Sequence, residues 1–397
     1  MVDFKRISSE SQATLDRLGV TMYENTMIDT LPVGYMQFAE IARELDKSNI
    51  KVLILDEPTA VLTESEAQIV LRIVKHLSDM GIAVILITHR IADIMQVGDT
   101  VTVLRDGKNV KTVSVKGVSE GEIAQLMVGR DLDLSGIKEN KKEFNPEVAV
   151  SLKNLKVDMP GEVVKGVDLE IHKGEIFGIG GLAGQGKVGI ANGIMGMFHT
   201  EGEIRISGKP LKLNSPKDSI KAGLAFVSED RRKMGFAPDL TIAENITGPS
   251  IINHNQFLKK YGFFTQIDSK AIRTKAEEYI EEFQIRCTGP NQQVGTLSGG
   301  NQQKVCVASA LMLGPDILLV SEPTRGIDVG AKSMILSTIS RINREQGVTV
   351  IFTSSELGEL RQICGRIAII ADGKVSDIMK PDDSDEAFGL AMSGKGR

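Results

Sequence analysis

The stretch GLAGQGKVG, Gly181 to Gly189, spaces its glycines and lysine as a phosphate-binding loop does, G-x-x-x-x-G-K-[ST]. Such a loop wraps phosphate oxygens in backbone N–H groups at the amino terminus of a helix, while the lysine reaches the β- and γ-phosphates. Gly181, Gly184, Gln185, Gly186 and Lys187 supply these parts. The last required residue is a hydroxyl for magnesium, and the chain has Val188 there, which has no oxygen to give. A second kind of chemistry is offered by acids closing apolar runs: Asp56 and Glu57 end KVLILDE, and Glu322 ends ILLVSE. Such a pair can hold magnesium through Asp56 and polarise an attacking water through Glu57. Each feature also has a plain reading: a tight turn with an exposed lysine, or two solvated acids at a strand end.

The elements that must position these residues are legible. Ile176 to Ile179 reads as a short strand that passes through the glycines into an apolar-periodic helix, the setting a phosphate loop needs. KVLILDE, ILLVSE, AVILITH and TVIFTS read as buried parallel strands, with helical segments such as ESEAQIVLRIVKHLSDM between them. Alternating strand and helix predicts a doubly wound α/β domain.

The landmarks occur twice. KVLILDEPTAVLT is echoed by DILLVSEPTRGID, and VILITHRIADI by VIFTSSELGEL, 265 and 266 residues apart. LPVGYMQ (Leu31 to Gln37) is echoed by LSGGNQQ (Leu297 to Gln303) at nearly the same offset. This is duplication. The polar segment LSGIKENKKEFNPE reads as a linker. The expected division is 1–130 for the carboxy-terminal part of a first copy, 131–146 for the linker and 147–397 for a complete second copy. The same offset would put the first copy's phosphate loop about 80 residues before Met1, so the first copy is expected to be incomplete.

Composition bounds the rest. The 397 residues are 41% hydrophobic and 25% charged, which is ordinary for a globular protein of two or more domains. A net charge of −5 argues against nucleic acid as the main partner. Cys287, Cys306 and Cys364 are too scattered for a disulfide framework or a zinc site. No apolar run is long enough to span a bilayer and the amino terminus lacks a signal-peptide core, so a cytosolic setting is expected. His76, His172, His199 and His254 match no motif.

LSGGNQQK, followed by an apolar strand ending in SEPTRGIDVGAK, closely resembles the ATP-binding subunits of ABC transporters. The nearest branch is that of simple-sugar importers, in which two nucleotide-binding domains are fused. VSEDRRKMGF with TIAENI after it, and MVGR closing the first half, are similar to that branch. The resemblance implies a P-loop hydrolase fold with a helical subdomain, in tandem, with ATP and Mg2+ as cofactors. It implies transmembrane permease subunits as partners, an extracytoplasmic sugar-binding protein acting indirectly, and a peripheral place on the inner face of the membrane.

The resemblance also implies roles. His89 would contact the γ-phosphate and keep Glu57 and the water aligned. Ser298, Gly299 and Gly300, with Gln303 after them, would meet a γ-phosphate bound on the other domain, since the family's two domains stack head to tail. Ser298 also reads as a helix cap, and capping and phosphate binding use the same N–H groups. Sorted by composite site, the departures fall together. Val188, Ser321, Ser354 and Glu229 replace the second copy's hydroxyl, aspartate, histidine and glutamine, and Pro32, Val33 and Tyr35 spoil the signature that faces them. The aromatic expected near KVDMPGE is missing too. One hydrolytic site with Asp56, Glu57 and His89 and one degenerate site are therefore expected, Glu322 being the weaker catalytic acid. The alternatives are a non-hydrolytic regulatory or remnant protein and a soluble twin ATPase of the translation or repair kind. The incomplete first copy also predicts self-association.

Overall fold

A computed structural model describes residues 3–17, 22–28, 33–45, 50–59, 62, 64–88, 90–105, 108–128, 146–261, 264–327 and 329–394. Pro32, His89 and 131–145 lie outside them. The chain divides into two compact units, Met1–Leu132 and Asp133–Arg397.

The first unit runs α1 (Phe4–Arg17), α2 (Val33–Leu45), β1 (Val52–Asp56), α3 (Glu64–Asp79), β2 (Ala83–Ile87), α4 (Ile91–Val97), β3 (Thr100–Arg105), β4 (Lys108–Ser114) and α5 (Glu120–Val128). Helix α3 forms because Ala67, Val70, Leu71, Val74 and Leu77 recur at helical spacing and are all buried. Val70, Val74 and Leu77 share a core with Leu53 and Leu55 of β1 and with Phe38 and Ile41 of α2. β1 and β2 pair in parallel from Val52 opposite Ala83 to Asp56 opposite Ile87, while β3 and β4 form an antiparallel hairpin.

The second unit begins with β5 (Val148–Val157), β6 (Val164–His172), β7 (Ile176–Gly180), α6 (Lys187–Met195), β8 (Thr200–Ile206) and β9 (Lys209–Pro210). It continues with α7 (Pro216–Lys221), β10 (Leu224–Val227), a π-helical turn (Arg231–Gly235), α8 (Ile242–His254), the hairpin β11 (Leu258–Tyr261) and β12 (Phe264–Ile267), and α9 (Ser269–Glu282). It closes with α10 (Gly299–Leu311), β13 (Ile317–Ser321), α11 (Val329–Gln346), β14 (Thr349–Thr353), α12 (Leu357–Ile363), β15 (Arg366–Ala371), β16 (Lys374–Met379) and α13 (Asp385–Met392).

Six strands in the order β10-β13-β14-β7-β15-β16 make the main sheet, parallel except for the β15–β16 hairpin. One face packs against α10, α11 and α12. The other packs on α6 and the antiparallel sheet β6-β5-β8-β9. The TIAENI segment starts α8 through a capping box: Glu244 N–H donates to Thr241 Oγ1 and Thr241 N–H to Glu244 Oε2.

The two units differ where the sequence reads alike. β13 and β14 are buried throughout, as continuous apolar runs predict. In the first unit the same reading needs correction, because β1 and β2 alternate between covered and open faces. Val52, Ile54, Ile85 and Ile87 are each about half exposed, from 48% to 61%. The physical reason is a missing neighbour. In the second unit Ile317, Leu319 and Ile351, the counterparts of Val52, Ile54 and Ile85, pack on α6 and the antiparallel sheet, and among the described residues of the first unit no such layer covers that face. The apolar side chains on that face have nothing to pack against.

Burial also sorts the cysteines. It pushes the Cys306 thiol up to about 12 and Cys364 well above its ordinary value, while Cys287 is only half-buried. A maleimide should therefore label one thiol per native chain, at Cys287, and three after denaturation, as read by mass spectrometry. Labelling of all three in the native state would show that the core opens readily. Among the described residues no helix is long and apolar enough to cross a membrane.

Candidate functional site

The phosphate loop lies where β7, a central strand, ends and α6 begins, at the carboxyl end of the parallel strands. Gly186 takes φ 97° immediately before the helix, and a Cβ there would stand 2.6 Å from Val163 O. α6 is buried along its whole length, so the loop is carried on a fixed element. Its free amides converge on one group, the carboxylate of Glu162. Gly184 N–H donates to Oε1 at 2.8 Å, and the N–H groups of Gly186 and Val188 donate to Oε2 at 2.8 and 3.3 Å.

Lys187 is buried. Its Nζ donates to Leu182 O at 3.4 Å and stands 3.6 Å from Glu322 Oε1, whose other contact is a hydrogen bond from Ser355 Oγ at 2.5 Å. Gln185 turns away from the loop's mouth: its side-chain oxygen accepts Asp372 N–H at 2.6 Å, and its carbonyl accepts Gly373 N–H. It tethers the loop to the β15–β16 turn. Val188 is buried.

Position 321, where magnesium requires a carboxylate, presents a Ser321 hydroxyl that is fully buried and without a hydrogen-bond partner, next to Thr353 Oγ1 in the same condition. Ser354 gives its hydroxyl to Glu359 Oε2 at 2.7 Å, and the strand register corrects its reading as the histidine's replacement: Ile87 and Thr353 are equivalent, opposite Asp56 and Ser321, so Ser355, which bonds Glu322, is the counterpart of His89. With Val188 offering no oxygen and Glu322 already held by Lys187 and Ser355, the second loop's side chains do not fit a magnesium ion. Among the described residues no cluster of three His, Cys, Asp or Glu could hold a metal.

Glu322 and Glu57 share one backbone geometry. Both lie at positive φ, 45° and 49°, and each donates its N–H to the neighbouring strand, Glu322 to Thr353 O and Glu57 to Ile87 O. Asp56 and Glu57 are exposed at the end of β1. Below them Thr59 Oγ1 donates to Asp93 Oδ2 at 2.6 Å, as Thr324 Oγ1 donates to Glu359 Oε1 at 2.7 Å in the second unit. Burial pushes the Glu359 carboxyl up against the pull of Lys332, which stands 2.7 Å away.

The signature segment opens α10. Ser298 occupies the cap position, but its hydroxyl makes no capping bond and instead accepts from Asn301 Nδ2 at 2.8 Å. The reading of Ser298 as a side-chain cap is therefore corrected: Asn301 is near enough to claim the oxygen. Gly299 lies beside the Arg231 guanidinium, and Gly300 is buried in the first turn. Gln303 is buried, with Nε2 unpartnered. Glu162 and Glu359 were not singled out from sequence. Glu359 had a signal, since an acid recurs at the repeat offset as Asp93; Glu162 had none.

A phosphate loop between a central parallel strand and a buried helix, with an acid on a neighbouring strand and a glycine signature opening α10, defines an ABC-type ATP-binding domain. The sequence profile of the family described as ABC transporter matches residues 164–325. The chain is 38% identical over 392 residues to a xylose import ATP-binding protein of Thermoanaerobacter pseudethanolicus, spanning 97% of this chain and 75% of that one. It is 36% identical over 388 residues to a ribose import ATP-binding protein of Clostridium perfringens, spanning 97% and 74%. Among solved structures, a dimeric ATP-binding cassette in a post-hydrolysis state with ADP and Pi superposes with a TM-score of 0.50 at 27% identity, over 59% of this chain and 100% of that one. The chain belongs to the ABC transporter family, as one of its ATP-binding proteins.

Proposed function

We propose that the chain energises import of a simple sugar through membrane permease subunits, with the first copy hydrolytic and the second a degenerate nucleotide site. The observation that carries the division is the contrast between two strand ends. Asp56 and Glu57 are exposed at one, whereas at the other Ser321 has no carboxylate and Glu322 lies largely covered beside Lys187 and Ser355. The sugar is argued from relatives named for xylose and ribose import, and an extracytoplasmic binding protein would deliver it to the permease.

In this reading Asp56 holds magnesium on the first copy's nucleotide, and Glu57 orients and polarises the water that attacks the γ-phosphate. His89 keeps that alignment. Ser298 and the amides of Gly299 and Gly300 meet the γ-phosphate from the second copy, as hydrogen-bond donors at a helix amino terminus. The permease places the chain on the inner face of the membrane. The open face of β1 and β2 favours self-association when the chain is alone.

The second loop should bind nucleotide through Lys187 and backbone amides with little dependence on magnesium, because neither Val188 nor Ser321 offers a ligand. Titration of the chain with ADP, with and without a chelator, checks this. A large loss of affinity on removing magnesium would show that the metal is held by other groups and count against the degenerate assignment.

A further inference from the structure

The second phosphate loop is already satisfied by the protein itself. A phosphate-binding loop works because several amides point at one place and cannot all find partners within the helix. Here three of them, from Gly184, Gly186 and Val188, close on the two oxygens of Glu162. A carboxylate shares with a phosphate the features that such a loop reads: a negative charge and two oxygens on one centre, each able to accept charge-assisted hydrogen bonds. The lysine is likewise matched, by Glu322 at 3.6 Å.

The placement of Glu162 is built into the fold. It sits in the turn between β5 and β6, where its N–H bonds Met159 O at 3.0 Å. The turn's backbone lies hard against α6: a Cβ on Gly189 would come within 2.2 Å of Glu162 O. On the far side, Lys165 N–H bonds Gly373 O at 2.8 Å. Only glycine at 186 and 189 lets the turn approach so closely. The main chain is thus clamped while the side chain, half-buried, remains able to swing out. Moving it costs hydrogen bonds and no core packing.

We propose that Glu162 is an intramolecular occupant of the second phosphate loop, its carboxylate standing in for a nucleotide phosphate and competing with nucleoside di- and triphosphates for the same amides. An arriving nucleotide must displace three charge-assisted bonds and then sit beside the displaced negative charge. The contact is an autoinhibitory device in the site that has lost its magnesium ligands. This rests on the reading of residues 181–188 as a nucleotide site.

Calorimetric titration of the full chain with ADP tests it, using Glu162→Gln, Glu162→Ala and Lys187→Ala, and each Glu162 change combined with Lys187→Ala. Both Glu162 variants should bind ADP roughly tenfold more tightly than the parent, and both should lose that binding with Lys187→Ala. The melting temperature of the second unit's transition without ligand should fall in Glu162→Gln while its upward shift on adding ADP grows, a combination that a purely structural contact does not produce. If ADP binds through Lys187 with unchanged or weaker affinity in both Glu162 variants, the competition is overturned and the nucleotide site stands. If no variant binds ADP, or binding is indifferent to Lys187, both are overturned.

Discussion

Glu57→Gln should lower ATP turnover by about 10²- to 10⁴-fold, the range for removing a general-base-type group, whereas Glu322→Gln should leave it nearly unchanged. The measurement is steady-state hydrolysis with magnesium by the chain together with a polypeptide that supplies the first copy's phosphate loop, since residues 1–130 contain none. Glutamine has the size of glutamate and suits either position, because each acid is held by the same backbone bond to its neighbouring strand at the same positive φ. What differs is the company of the carboxylate. Glu57 follows Asp56 at an exposed strand end; Glu322 follows a buried serine and is occupied by Lys187 and Ser355. Equal losses from the two substitutions would mean that both sites hydrolyse and that the asymmetry has been misread.

The second large effect is on stability. Glu175, at the turn into β7, has a fully buried carboxylate that Arg366 of β15 grips through two bonds, Nε to Oε1 at 2.7 Å and a terminal nitrogen to Oε2 at 2.8 Å. The same guanidinium bonds Glu170 O and lies over the Phe177 ring. Arg366→Ala leaves a buried charge without its partner, which costs about 3–5 kcal/mol. Arg366→Lys keeps the charge but not the fork, and should fall between. Urea unfolding of the second unit checks this. Adding Glu175→Gln to Arg366→Ala should recover part of the loss, because the orphaned charge is then gone. A loss of under about 1 kcal/mol for Arg366→Ala would place the pair with surface ion pairs.

Much of this was legible from the sequence, for local reasons. The phosphate loop and the strand-end acids are each written within a few consecutive residues, and the repeat offset fixes how the two copies correspond. Partners were harder to read. Nothing in PGEVV says that the Glu162 side chain will reach amides more than twenty residues on, because that depends on how closely glycines let a turn approach a helix. Gln185 reads as part of the loop, yet its side chain serves a turn near residue 372. The openness of β1 and β2 was hidden for a related reason: an apolar run reports what a strand is suited to, and its burial depends on which neighbours are present.

That unevenness means the protein has no single melting temperature. β13 and β14 lie inside a six-stranded sheet covered on both faces, while their counterparts β1 and β2 form a two-stranded sheet with an apolar face open to water. Cooperativity comes from shared packing, so the first unit opens at lower free energy than the second, and a scanning calorimeter sees more than one transition. The chain carries its own internal control. One strand pair, present twice, reports through hydrogen exchange how much protection a parallel pair gains from flanking strands and a second covering layer.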